Sequence, residues 1–216
     1  MKSYSLPLIL LISILAFSCT GKGAGAENRE DEITALPYFN SADFTPSWEK
    51  GSHRIPDFAF TNQNGEEITE ESYRGKIYVA DFFFTICPGI CPKLTANMES
   101  LQEAYLSDEE VMFLSHSVMP WNDSVPVLKE YAIEHQVNDA KWNLVTGDVE
   151  AIYSIAREGY FADEDFTKTL DTSNFIHTEN FVLVDGQGFI RGVYNGTLEM
   201  DLERLKRHIE ILKKEV

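Results

Sequence analysis

Residues 76–92 read Lys76-Ile77-Tyr78-Val79-Ala80-Asp81-Phe82-Phe83-Phe84-Thr85-Ile86-Cys87-Pro88-Gly89-Ile90-Cys91-Pro92. As far as Phe84 the run is almost entirely apolar, β-branched or aromatic, as expected of a central strand covered on both faces. Beyond it the period changes. Leu94, Met98, Leu101 and Tyr105 recur at three- and four-residue spacing, which predicts a helix over 92–105. Pro92 suits the first helical position and so puts Cys91 at the cap. A buried strand thus delivers two cysteines to its C-terminal edge, the place where ligands bind in open α/β sheets. First-turn amides and the helix dipole favour a thiolate there, so both sulfurs are expected to have an accessible anionic form.

Working outward, residues 57–60 and 66–69 flank Asn62-Gln63-Asn64-Gly65, a hairpin signal because Asn-Gly supplies the positive φ of a tight turn. Strands are predicted over 111–118, 142–145 and 181–184, and helices over 124–135, 148–157 and 201–214. Asp185-Gly186-Gln187-Gly188 turns the chain into a further strand over 189–194. This order implies a mixed sheet with helices on both faces, and a thioredoxin-like α/β fold with an N-terminal hairpin is the economical solution. A flavodoxin-like sheet does not end in an antiparallel hairpin. Aromatic residues Tyr38, Phe39, Phe44 and Trp48 lie among turn residues, as in an extended segment laid over the domain.

The chain has 216 residues, 18 Lys and Arg against 35 Asp and Glu, and a formal charge of −17. That length supports one full core, and the acidic balance argues against nucleic acid as a partner. The only long apolar run, residues 6–17, is too short for a membrane span of about 20 residues. With Lys2 before it and small residues after, it reads as a secretory signal peptide over 1–18. Ala16-Phe17-Ser18-Cys19 resembles a lipobox, so Cys19 is the expected lipidation site; the alternative is an incidental cysteine after a plain signal peptide. Glycine-rich and then highly charged residues follow, so 19–50 reads as a lipid-anchored tether and lead-in, and 51–216 as the folded domain. The expected location is outside the cytoplasm, anchored to a membrane and facing the periplasm or the outer side of the cytoplasmic membrane.

With Cys19 assigned to the lipid, Cys87 and Cys91 remain for chemistry. Three residues separate them, one more than in the Cys-x-x-Cys of thioredoxin-type redox proteins. Such a loop closes a disulfide if the β-carbons come within about 3.8 Å, or holds two sulfurs apart around a metal. A structural disulfide is the common outcome for an exported chain. A bridge across so short a loop, however, constrains little of the unfolded state. Among the histidines, His53, His135 and His208 read as surface residues. His177 precedes the strand over 181–184, and in a thioredoxin-like sheet that loop faces the first cysteine loop. Oxidoreductases of that fold carry a cis-proline there, whereas 173–180 contains no proline. Two thiolates and an imidazole make a soft set that suits Cu(I) and accepts Cu(II); zinc also accepts Cys₂His, though structural zinc sites are normally four-coordinate.

At these residues the chain resembles the Sco/SenC family of copper-binding thioredoxin-fold proteins. The shared features are Ile55-Pro56-Asp57-Phe58, Tyr73-Arg74-Gly75-Lys76, the Cys-Pro-x-x-Cys-Pro unit, Leu128-Lys129-Glu130-Tyr131, Thr146-Gly147-Asp148 and the His before Phe-Val-Leu-Val-Asp-Gly-Gln-Gly. The resemblance spans about 55–212. It implies copper ligands Cys87, Cys91 and His177, a metallochaperone role in assembly of the CuA centre of cytochrome c oxidase, and the CuA-bearing subunit as partner. Two departures stand out: Ser117-Val118-Met119-Pro120 replaces Ser-Val-Asp-Pro, and Gly89 stands where Asp is common. Both remove negative charge near the thiolates. Met119 and His116 are accessory ligand candidates, against plain packing roles as a gap-filling thioether and a hydrogen-bonded strand residue.

Three other functions compete with the chaperone. In a thiol-disulfide reductase Cys87 and Cys91 are the redox pair and His177 is dispensable. A peroxidase needs a cationic group beside the thiolate, and only Lys93 is close. The family resemblance also allows copper sensing without delivery.

Overall fold

The computed structural model describes residues 34–162 and 178–215. The expected signal peptide, Cys19, the glycine-rich stretch after it and His177 lie outside the described residues. The strands are β1 Tyr38–Phe39, β2 Pro46–Ser47, β3 Ala59–Asn62, β4 Glu67–Thr69, β5 Ile77–Phe83, β6 Val111–Ser117, β7 Trp142–Thr146, β8 Asn180–Val184 and β9 Ile190–Asn195. The helices are α1 Cys91–Ala104, α2 Val125–Glu134, α3 Val149–Ser154 and α4 Glu199–Glu215.

β1 and β2 pair in a small antiparallel sheet, and the other seven strands form one sheet in the order β4-β3-β7-β6-β5-β8-β9. β5, β6 and β7 run parallel, while β3 pairs antiparallel with β7 and β8 antiparallel with β5. This mixed sheet between helical layers, closed by the β8–β9 hairpin, is the thioredoxin-like arrangement expected from the element order. β3 and β4 form the expected N-terminal hairpin. Gly65 takes φ +78 in its turn, and the Asn62 side-chain carbonyl accepts from the amides of Asn64 and Glu66 at 2.9 Å each.

All seven residues of β5 are buried, and the pleat sends them alternately into two cores. Ile77, Val79 and Phe83 face one core with α1, α2 and α4, through Leu94, Met98, Leu128, Leu205 and Ile209. Tyr78, Ala80 and Phe82 face the other with α3, through Phe58, Phe60, Ile152 and Tyr160. Leu36 is buried in the first core. Its carbonyl accepts from the Arg191 guanidinium at 2.6 Å, and the same side chain pairs with Asp185 and Glu215, pinning the N-terminal segment to β9 and α4.

Two local expectations are corrected. α1 begins at Cys91 rather than Pro92: Ile90 is the cap, and its carbonyl accepts from the amides of Lys93 and Leu94 at 3.0 Å each. Cys91 is therefore the first helical residue and not the cap. The helix expected over 148–157 is α-helical only to Ser154 and widens into a π-helical turn over Ile155–Gly159.

Candidate metal centre

β5 ends under α1, and the chain crosses between them through Phe84, Thr85, Ile86 and the two cysteines. The Cys87 amide donates to the Phe84 carbonyl at 3.3 Å, turning the loop back towards the helix. Ile90 supplies no side-chain cap to α1. The amides of Cys91, Gly89 and Ile90 favour the anionic form of the Cys87 sulfur beside them. Cys87 is half-buried and Cys91 buried, and both are free thiols.

The sulfurs differ sharply in acidity. Partial burial raises the Cys87 pKa, but hydrogen bonds from the Cys91 thiol and from the loop amides outweigh it, and the net direction is down. Burial pushes Cys91 up to about 12, helped by its donation to Cys87. The expectation of two accessible anionic sulfurs is corrected: Cys87 is the more readily ionised of the two, and Cys91 keeps its proton. A soft cation bridging the pair would replace that proton and satisfy both sulfurs at once.

Asp123 anchors the cysteine loop from the side. Its buried carboxylate accepts from the Thr85 hydroxyl at 2.6 Å, the Thr85 amide at 3.2 Å, the Asn122 side chain at 2.8 Å and the Ser117 hydroxyl. The segment after β6 is thereby fastened to the segment after β5, two residues before Cys87. Met119 lies in that second segment, half-buried, with its amide donating to the Ser117 hydroxyl at 3.1 Å.

His116 lies elsewhere. Opposite Phe82 in the β5–β6 register, it projects into the α3 core, fully buried, stacked on Phe82 at 5.0 Å and flanked by Phe58, Phe60 and Tyr160. Cys91 belongs to the opposite core. Burial, weakly opposed by the Asp81 backbone, lowers the His116 pKa to about 3. Among the described residues neither ring nitrogen has a hydrogen-bond partner of good geometry. The sheet thus separates His116 from the cysteines, while Met119 stays on the loop fastened to theirs.

Sequence reasoning passed over two acids. Asp81 is buried on the Cys91 side of the sheet, where it accepts from the Ser115 hydroxyl, which in turn accepts from the Trp142 indole at 2.8 Å. Burial raises its pKa to about 7, against the Ser115 hydrogen bond. The available signal was a lone acid inside an otherwise apolar strand. Asp123 had no comparable signal, since its setting depends on Thr85, 38 residues away in the chain. Among the described residues no group of three or more His, Cys, Asp or Glu side chains converges on one point. The cysteine pair supplies two donors.

Comparison with known proteins shows the family. Residues 48–212 match the SCO1/SenC family. The chain belongs to that family. Among its relatives, a SCO1 homologue of Bacillus subtilis is 33% identical over 150 residues, covering 67% of this chain and 75% of that protein. A SCO1/SenC family lipoprotein of Bacillus anthracis superposes with a TM-score of 0.65 at 30% identity, covering 74% of this chain and 95% of that one. BsSco, described as a Sco cytochrome c oxidase assembly protein with a disulfide switch, gives 0.63 at 29% identity over 77% of this chain and 95% of its own. The copper-bound ScoI of Bradyrhizobium japonicum shares the fold at 24% identity and a TM-score of 0.56, over 73% of this chain and 99% of that one.

Proposed function

We propose that this protein is a copper metallochaperone that binds Cu(I) through Cys87, Cys91 and His177 and delivers it to the CuA site of a cytochrome c oxidase. The observation that carries this reading is the pair of free thiols, one half-buried and one buried, at the C-terminal edge of β5 in a SCO1/SenC chain. Copper bound to the Bradyrhizobium relative and the oxidase-assembly description of BsSco support it. Two sulfurs and an imidazole form a soft set that holds Cu(I) and accepts Cu(II). The half-exposed Cys87 sulfur is where an incoming donor begins the exchange. Lipidation at Cys19 completes the proposal: it would hold the domain outside the cytoplasm within reach of a membrane-bound oxidase, as the lipoprotein relative in Bacillus anthracis suggests.

The test is a Cu(I) titration of the reduced full-length protein in detergent against a competing chelator, with wild type and His177→Ala in parallel. One equivalent held tightly, and at least about tenfold more weakly by the variant, is the expected result. Weak binding, or binding indifferent to His177, overturns the Cys₂His site.

A second reading, thiol-disulfide exchange with a partner's metal-site cysteines, is favoured by the split acidities. The Cys87 thiolate attacks the partner disulfide and one partner sulfur leaves. The Cys91 thiol then attacks Cys87, its proton passing to the departing partner sulfur. The partner gains one thiol and one thiolate, which takes its proton from water, and this chain gains a Cys87–Cys91 disulfide. His177→Ala leaves that activity intact.

A further inference from the structure

Nine large apolar side chains are exposed among the described residues, and six of them, Ile86, Ile90, Trp121, Val149, Leu198 and Met200, emerge at one edge of the sheet. Strand direction decides this. β5, β6 and β7 run parallel, and β9 runs the same way because β8 is antiparallel to both β5 and β9. The segments that leave the C-terminal ends of these four strands therefore share the edge that carries Cys87. Scattered exposed apolar residues need no explanation, but a set gathered at the edge that carries a reactive group points to an interaction site.

The two central segments are also free of charge. Residues 82–92 and 115–122 contain no Asp, Glu, Lys or Arg, in a chain that is 25% charged. Thr85 and Asp123 fasten these segments together, so Ile86, Ile90 and Trp121 stand on adjoining loops. Trp121 is 60% exposed, the residue type that most often anchors protein interfaces.

We infer that this crown is the docking face for a protein whose thiolate or thioether donors are framed by uncharged, apolar side chains. The inference rests on the metallochaperone reading and names the partner's surface chemistry. Ile86 and Ile90 flank the cysteine loop and are exposed, so a donor's carrier that reaches the Cys87 sulfur meets apolar side chains beside it. In the exchange Cu(I) keeps its oxidation state. Each copper bond broken to Cys87, Cys91 or His177 is matched by one formed to a partner donor, and partner thiols give up their protons, one to Cys91 and any other to water. The outer loops carry Asp148, Glu150 and Glu199, all exposed. Those acids oppose an anionic lipid surface, and a second copy of this chain would set the same acids against each other.

The test uses the full-length protein in detergent, metal-free and Cu(I)-loaded, with the apo soluble domain of a CuA-bearing oxidase subunit as the probe. Trp121→Ser and Leu198→Ser are compared with wild type. Expected are unchanged Cu(I) affinity in chelator competition, a Kd for the probe raised about tenfold or more in each variant, and a wild-type Kd that changes less than about threefold between 50 and 500 mM salt. Variants that bind and load the probe as wild type does overturn the crown and leave the chaperone standing. A wild type that holds no copper, yet docks in a Trp121-dependent way, supports the crown and removes the copper reading. The inference is overturned by absence of wild-type docking, by docking that collapses with salt, or by Trp121-dependent self-association or binding to neutral phosphatidylcholine vesicles in place of docking.

Discussion

The Cys91 thiol donates a hydrogen bond to the Cys87 sulfur, and this contact shifts the acidities of the two residues in opposite directions. The donor is harder to ionise because it would lose its acceptor, and the acceptor easier because its anion is solvated by a thiol and by loop amides. Burial is the larger cause at Cys91, and Cys87 keeps the exposure that incoming reagents need.

Limited alkylation of the reduced, metal-free protein should therefore label Cys87 first. The Cys87 thiolate forms below the ordinary thiol range, whereas Cys91 ionises only near pH 12. At pH 7.5 a rate ratio of at least about tenfold is expected, read by peptide mass spectrometry after short exposure to iodoacetamide. Equal labelling would contradict the asymmetry.

Asp123→Ala leaves the Thr85 amide and hydroxyl and the Ser117 hydroxyl without their acceptor. Unpaired donors, the Ser117 hydroxyl buried and those of Thr85 half-buried, make the expected loss of stability about 2 to 4 kcal/mol, measured by urea unfolding. Asp123→Asn keeps an acceptor oxygen and should lose less. A loss below about 0.5 kcal/mol for the alanine variant would mean that the clamp is not structural.

Asp81 and His116 tilt stability with pH in opposite directions. The folded pKa of Asp81 is about 7 against an ordinary 3.8, so the folded state retains a proton that the unfolded chain releases. Its contribution is full below the unfolded pKa and is lost as pH rises through about 7. The folded pKa of His116 is about 3 against 6.5, so its contribution is full above 6.5 and is lost as pH falls towards 3. Relative to wild type, Asp81→Asn is expected to gain on the order of 5 °C in Tm at pH 8 and to gain little at pH 4. An identical Tm difference at both pH values would remove burial of an ionisable Asp81 as the cause.

His116→Phe replaces two unpartnered ring nitrogens by carbon in an aromatic setting. A gain of roughly 1 to 3 kcal/mol at pH 5 is expected, with Cu(I) affinity unchanged because the ring faces the core opposite Cys91. A fall in copper affinity would return His116 to the ligand set.

Much of this protein was legible along the chain. The apolar run through Phe83, the Asn64-Gly65 turn and the helical spacing of Leu94, Met98 and Leu101 each obey a local rule of period or turn chemistry. Such rules need no distant partner, and for that reason the strands, the hairpins and the position of the cysteine pair followed from residue order. Even the one-residue shift at α1 is local, since it turns on whether the Ile90 or the Cys91 carbonyl closes the first turn.

What required the folded chain was everything that depends on which elements become neighbours. Pleat parity states that Ser115 and His116 point to opposite faces, but it does not say which face α1 covers. Only the crossover after β5 put Asp81 and Ser115 on the side of Cys91 and His116 on the other. The acidity of Cys91, the grip of Asp123 on Thr85 and the gathering of six apolar side chains at one edge arise the same way. Burial, hydrogen bonding across elements and strand direction are properties of the assembled sheet, and residue order alone does not contain them.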